Sequence, residues 1–285
     1  MAWDFELIAG PYGGITEGPT WDGKAVLFSN IENNRILRYG PSTGDITVLR
    51  GNTNGANGLV LDKDGRLYAC EGGLTGRRIT RYNDDGSTTV IADRFEGKRL
   101  NSPNDLTFDS LGRLWFTDPR YGDFRADMEL DHESVYRLDP QSDGSWTLHR
   151  MTFDTTCPNG LVLSNDQKTL YVAQSKYGDN EQRDLRAYPI HDDGSLGTCQ
   201  ILHNFYPHRG IDGMCVDAAG NILATAGWEV SGPGPMVYLF APNGRVLATH
   251  PVPADRPTNI CFGDLDLKAL YITTVGGHFF RVRLG

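Results

Sequence analysis

Six oxygen-bearing side chains recur at one position of a degenerate repeat: Glu17, Asn57, Asn104, Asn159, Asp212 and Asn259. Each is the second residue of a copy: TEGPTW, ANGLVLD, PNDLTFD, PNGLVLS, IDGMCVD and TNICFGD. Carboxylate and amide oxygens are the donors that hard divalent cations such as Ca²⁺ take. Two of the six are acids, which balances a double charge, and the amides add neutral ligands. Taken singly, an Asn or Asp before Gly reads as a turn residue, and Asn57, Asn159 and Asp212 all precede Gly. Glu17 does not read that way. Acids converging on a narrow channel would repel one another and lose hydration unless a cation joined them. The coincidence of all six on one register is what points to a metal.

The rest of each copy describes the element that would carry these residues. An apolar pair follows ten and eleven residues later: Leu27-Phe28, Leu67-Tyr68, Leu114-Trp115 and Ile222-Leu223. With one residue inserted, the pair is Leu170-Tyr171 or Leu270-Tyr271. Turns such as Asp64-Gly65 and Ala219-Gly220 separate the two segments. Alternating third segments (RILRY, RRITRY, SVYRLD, MVYLFA, FFRVRL) and fourth segments (STTVIA, WTLHRM, RVLATH) come next. No helical period is sustained. Six copies in 285 residues give about 47 residues each, the size of a four-stranded propeller blade.

The expected fold is therefore an all-β, six-bladed β-propeller forming a single domain over 1–285. Two all-β domains are the alternative, but the repeats run the whole length without a linker. The sixth copy stops at Gly285 after its third strand, and residues 5–9 (FELIA) are expected to supply the fourth. That would close the last blade with strands from both termini. The six oxygen donors open the innermost strands and would ring the central channel.

Lys plus Arg number 27 and Asp plus Glu 36, a formal charge of −9. Such a chain is a poor general nucleic-acid binder. No apolar run approaches the ~18 residues of a membrane helix, and MAWDFELIAG lacks a secretory pattern. Five scattered cysteines without a CxxC read as reduced thiols in a cytoplasmic protein. The lone GxSxG, Gly40 to Gly44, lies in a turn with no strand-to-helix elbow and reads as chance.

The segment GKRLNSPNDLTFDSLGRLWFTDPRYG (97–122) resembles the gluconolactonase branch of the regucalcin/gluconolactonase family. So do TEGPTW, ANGL with CEGGLTGRRITRY, CPNGL, IDGMCVD and TNICFG, which together span essentially the whole chain. The resemblance implies a six-bladed propeller holding one catalytic divalent cation, commonly Ca²⁺, with Zn²⁺, Mn²⁺ or Mg²⁺ as alternatives. It implies Glu17, Asn104, Asn159 and Asp212 as the ligands. It implies hydrolysis of a small sugar lactone to the aldonic acid, or of an organophosphate triester on the same site. Two departures bear on substrate contacts. Regucalcins carry Arg where this chain has Ser102, and gluconolactonases usually read CEHG where it reads CEGG.

In that scheme Asp212 is the expected general base for water and Glu17 the less mobile ligand. Asp105 is expected to orient its neighbour from behind the ligand shell. Asn57, Asn101, Tyr121 and His278 are the expected substrate contacts, with the 120–122 loop near the channel mouth. The expected partner is a small-molecule lactone, with no nucleic acid and no membrane. A non-catalytic propeller scaffold and a strictosidine-synthase-like condensing enzyme are the competing classes. The scaffold would show a large apolar face, the enzyme a polar pocket.

Overall fold

A computed structural model of the chain describes residues 3–73, 75–175 and 181–285. Six four-stranded antiparallel sheets follow one another along the chain, over 16–51, 56–92, 106–150, 158–204, 211–251 and 257–283. The last has three consecutive strands, and its fourth is Glu6–Ala9, paired to Phe279–Arg283 with Glu6 opposite Arg281 and Leu7 opposite Phe280. The propeller fold and its closure by an N-terminal strand are both as the repeat predicts.

Hydrophobic packing explains why the ring closes. The buried apolar residues form six clusters, each shared by two neighbouring blades. Tyr68 and Leu106 join the second and third blades, Trp115 and Leu161 the third and fourth, and Val26 and Ala269 the first and last. Six interfaces for six blades means that no sheet face is left unpaired. The second strand of a blade is covered on both sides, so Val26–Asn30, Leu67–Glu71, Leu114–Asp118 and Ala269–Thr274 are buried throughout. Burial of each large apolar side chain there contributes roughly 1.5–3 kcal/mol. This accounts for the apolar pairs in the repeat.

The innermost strands depart from simple alternation, and the departure matters for function. Five of the six slip register where the repeat places its oxygen donor: between Glu17 and Thr20, Ala56 and Leu59, Pro158 and Leu161, Ile211 and Met214, and Pro257 and Ile260. A bulge bends the strand and re-aims a side chain. The glycine that follows four of the donors has a steric cause. A methyl on Gly18 would overlap the Asn57 carbonyl of the next blade, and one on Gly160 the Asp212 carbonyl. A methyl on Gly58 would lie 2.7 Å from the Asn104 carbonyl, to which the Gly58 amide donates at 2.9 Å. Adjacent inner strands thus approach closely at the axis.

Two features outside the repeat were not expected from it: a short hairpin (Arg94–Phe95 with Lys98–Arg99) and a 3₁₀ turn over Gly122–Asp127. All five cysteines are free, and burial pushes the Cys70 and Cys215 thiols up. Among the described residues no helix is long and apolar enough to cross a membrane.

Candidate active site

The inner strands and the segments that lead into them bring five of the six register residues around one cavity of about 590 Å³. Glu17, Asn57, Asn104, Asn159 and Asp212 line it together with Ile15, Ile31, Tyr121, Arg209, Trp228, Arg256, Thr258 and Val275. The sixth, Asn259, lies one layer down, beside Asp105 on a smaller void of about 140 Å³.

Glu17 is 5% exposed. Its Oε2 accepts hydrogen bonds from the Gly18 amide at 2.5 Å and from Asn259 Nδ2 at 3.1 Å. Burial drives its carboxyl well above the usual range, and the charges of Asp212 and Asp105 add to the rise. Asp212 is also raised by burial, against the opposing pull of Arg209, whose guanidinium pairs with Asp212 Oδ2. The Asn159 amide hydrogen-bonds the same carboxylate, which leaves its oxygen for another partner. Asp105 is pushed up to about 7 by burial, although the Leu106 amide at 3.0 Å, the Leu161 amide at 3.4 Å and Asn259 all hydrogen-bond it. Three carboxyl groups held near one axis therefore resist ionisation. Among the described residues, Asn57 Oδ1 is buried without a hydrogen-bond partner.

These groups suit a hard cation by the chemistry of their donors. No three His, Cys, Asp or Glu side chains among the described residues cluster as a metal site. An ion here would instead rest on the Glu17 and Asp212 carboxylates and the amide oxygens of Asn104 and Asn159, an all-oxygen set that matches Ca²⁺ better than the nitrogen and sulfur sets of zinc sites. The suppressed carboxyls are what a cation at the axis would relieve, and the orphaned Asn57 oxygen belongs to the same cavity wall.

Of the expected substrate contacts, the structure brings Asn57 and Tyr121 to the cavity wall and not Asn101 or His278. Asn101 is fully buried, and its Nδ2 donates to the Asp118 and His132 carbonyls, both at 3.1 Å. It fastens the loop ahead of Asn104. His278 instead turns back on Thr274, with Nδ1 3.3 Å from Oγ1, and stacks on Phe280. Asp105 lies on the smaller void with Asn259. Arg120 is buried and ion-paired to Asp127 at 2.6 Å.

Arg209, Trp228 and Arg256 were missed, although the repeat held a signal for each. Arg209 and Arg256 both stand three residues ahead of the register residue, at Asp212 and Asn259. Trp228, like Ile31 and Val275, stands where a second strand ends or has just ended. Those exits open onto the same mouth as the inner-strand starts, because neighbouring strands are antiparallel.

This is a six-bladed propeller with an acid-and-amide ring at its axis, and the chain belongs to the family described as the SMP-30/gluconolactonase/LRE-like region, whose model matches residues 15–276. Its relatives give the family a chemistry. A gluconolactonase of Zymomonas mobilis is 32% identical over 276 residues, covering 87% of this chain and 73% of that protein. The pentonolactonase XacC of Haloferax volcanii is 30% identical, covering 92% and 82%. A solved gluconolactonase from Xanthomonas campestris superposes with a TM-score of 0.85 at 33% identity, covering 99% of this chain and 90% of that one.

Proposed function

We propose that this protein is a divalent-cation-dependent lactonase that opens a small sugar lactone to its aldonic acid. The observation that carries the reading is the convergence of Glu17 and Asp212, from the first and fifth blades, with three asparagine amides on one cavity. Two relatives named for lactone hydrolysis, each at least 30% identical, support it.

Glu17, Asn104, Asn159 and Asp212 would hold the ion, with the Asn57 oxygen facing the same space. A dication bound there supplies Lewis-acid polarisation of the lactone carbonyl and charge opposite the developing oxyanion. The protein's own groups do the rest. Asp212 accepts the proton of the attacking water. Arg209 holds its carboxylate and opposes the rise that burial imposes on it. Glu17, pinned by the Gly18 amide and Asn259, moves little. Asn57 and Tyr121 reach substrate hydroxyls from the wall, and the cavity sides formed by Ile15, Ile31 and Val275 exclude bulk water.

The test is a panel of aldono-1,4- and 1,5-lactones, followed by acid release, on metal-stripped protein with and without Ca²⁺, Mn²⁺ or Zn²⁺. Turnover should vanish on stripping and return with at least one ion. Full activity after exhaustive chelation would refute the scheme.

A further inference from the structure

The cavity is chemically lopsided. Its two arginines occupy equivalent places in the repeat, yet their charges are spent differently. Arg209 is buried, pairs with Asp212 and donates to the Gly227 and Pro257 carbonyls, both at 3.2 Å. In the last blade the residue at the place of Asp212 is Asn259, a neutral amide already committed to Glu17. Arg256 has no acid from the ring. It rests on Asp255 through Nε, at 2.7 Å, and among the described residues no hydrogen bond engages its two terminal nitrogens. Asp255 in turn accepts the Glu229 amide at 2.9 Å. The Arg256 guanidinium lies 5.4 Å from the centre of the Trp228 ring.

Trp228 reaches this place through a break in its sheet. The ladder slips between Ala226 and Trp228, and Gly227 sits at φ +87°, pressed so closely on the Gly234 carbonyl that no side chain fits. The result is an indole 39% exposed on the cavity wall, beside an arginine whose terminal nitrogens have no hydrogen-bond partner among the described residues. Aromatic faces take the C–H face of a sugar ring, and a guanidinium fork takes a carboxylate, sulfonate or phosphate in bidentate fashion. Of the ring acids, Asp212 is already paired with Arg209.

We infer that Trp228 and Arg256 form a subsite for an anionic substituent, so that the preferred substrate is a sugar lactone bearing a second acidic group remote from the ring carbonyl. This rests on the lactonase reading and narrows it. Trp228 stacks on the ring while the terminal nitrogens of Arg256 grip the acid.

A matched pair of substrates tests it: D-glucaro-1,4-lactone and D-glucono-1,4-lactone, which differ only in a carboxylate against a hydroxymethyl group. The wild-type protein should show a kcat/KM at least tenfold higher for the acidic lactone. Arg256→Gln should cut that ratio tenfold or more, mainly through KM. Arg256→Lys, which keeps the charge and loses the fork, should fall between. A smaller change in the ratio with Arg256→Gln, or a wild-type preference for the neutral lactone, overturns the inference. If neither lactone turns over, the lactonase reading has failed, and the subsite is judged by calorimetry instead. Open-chain glucarate should then bind at least tenfold tighter than gluconate, with the difference lost in Arg256→Gln. Equal binding overturns it.

Discussion

Asn259 Nδ2 donates to Glu17 Oε2 at 3.1 Å across 242 positions of sequence. The bond crosses the seam between the last blade and the first. Asn259 Oδ1 accepts the Ile260 amide at 2.8 Å, so the side chain is held at both ends. An acid that burial holds up is therefore oriented by a residue of the blade that completes the ring.

Gly213 makes room for this arrangement, because any Cβ there would overlap the Asn259 amide. Gly213→Ala should displace Asn259 and release Glu17. The expected result is a loss of about 1–3 kcal/mol of stability and a fall in turnover, both read against Asn259→Ala. If Gly213→Ala matched wild type in thermal melts and activity, the packing argument would be wrong.

Asp212→Asn keeps the shape of the side chain and removes its basicity. A positioned general base is worth roughly 10²–10⁴ in rate, so kcat should fall by about that factor while circular dichroism stays unchanged. Glu17→Gln should act chiefly on divalent-ion affinity, measured by calorimetry.

Arg209→Met leaves Asp212 buried beside one cation fewer. Breaking a buried pair in this way costs about 3–5 kcal/mol, so the metal-free variant should melt well below wild type. Millimolar Ca²⁺ should then raise its melting temperature more than it raises that of wild type, since the ion restores the missing charge. An equal rise in both proteins would show that Arg209 and the ion do not share this carboxylate.

Asp118 gives a dependence on pH that lies outside the cavity. It accepts the Asn101 and Ser102 amides, both at 2.8 Å, and burial pushes its carboxyl up to about 7. The folded state therefore holds a proton that the unfolded chain releases near 4. Between those values stability falls as pH rises, by up to about 1.4 kcal/mol per pH unit from this group. Melting temperature should decline from pH 5 to 7, and Asp118→Asn should flatten the slope even though it lowers stability at every pH. A slope unchanged in the variant would assign the effect to other acids.

The sequence made the blades legible because each carries the same apolar pair and turn, and it made the ring legible because six oxygen donors share one register. The bulges were not legible. Alternating patterns such as GLVLD look regular, and the slip at Gly58 or Gly160 arises from contact with the next blade, which no local window contains. Asn101 and His278 have the right chemistry at the right distance along the chain, but other partners claim their side chains first: the Asp118 and His132 carbonyls hold Asn101, and the Thr274 hydroxyl and the Phe280 ring hold His278. Arg209 and Arg256 stood at matching positions and were readable in principle. What hid them was that a charge gains meaning only with its partner, and Asp212 and Asn259 give the two arginines opposite fates.

The pairing of Leu7 with Phe280 bears on the order of events during synthesis. The strand Glu6–Ala9 leaves the ribosome ahead of the first complete blade and waits through five blades before its partner Phe279–Arg283 exists. Contacts of such long range form slowly. Five blades can stack as they emerge, but the site stays open on one side until the last blade arrives, because Asn259 travels with it. A nascent chain stalled before residue 257 would carry both acids of the ring and no enclosed cavity.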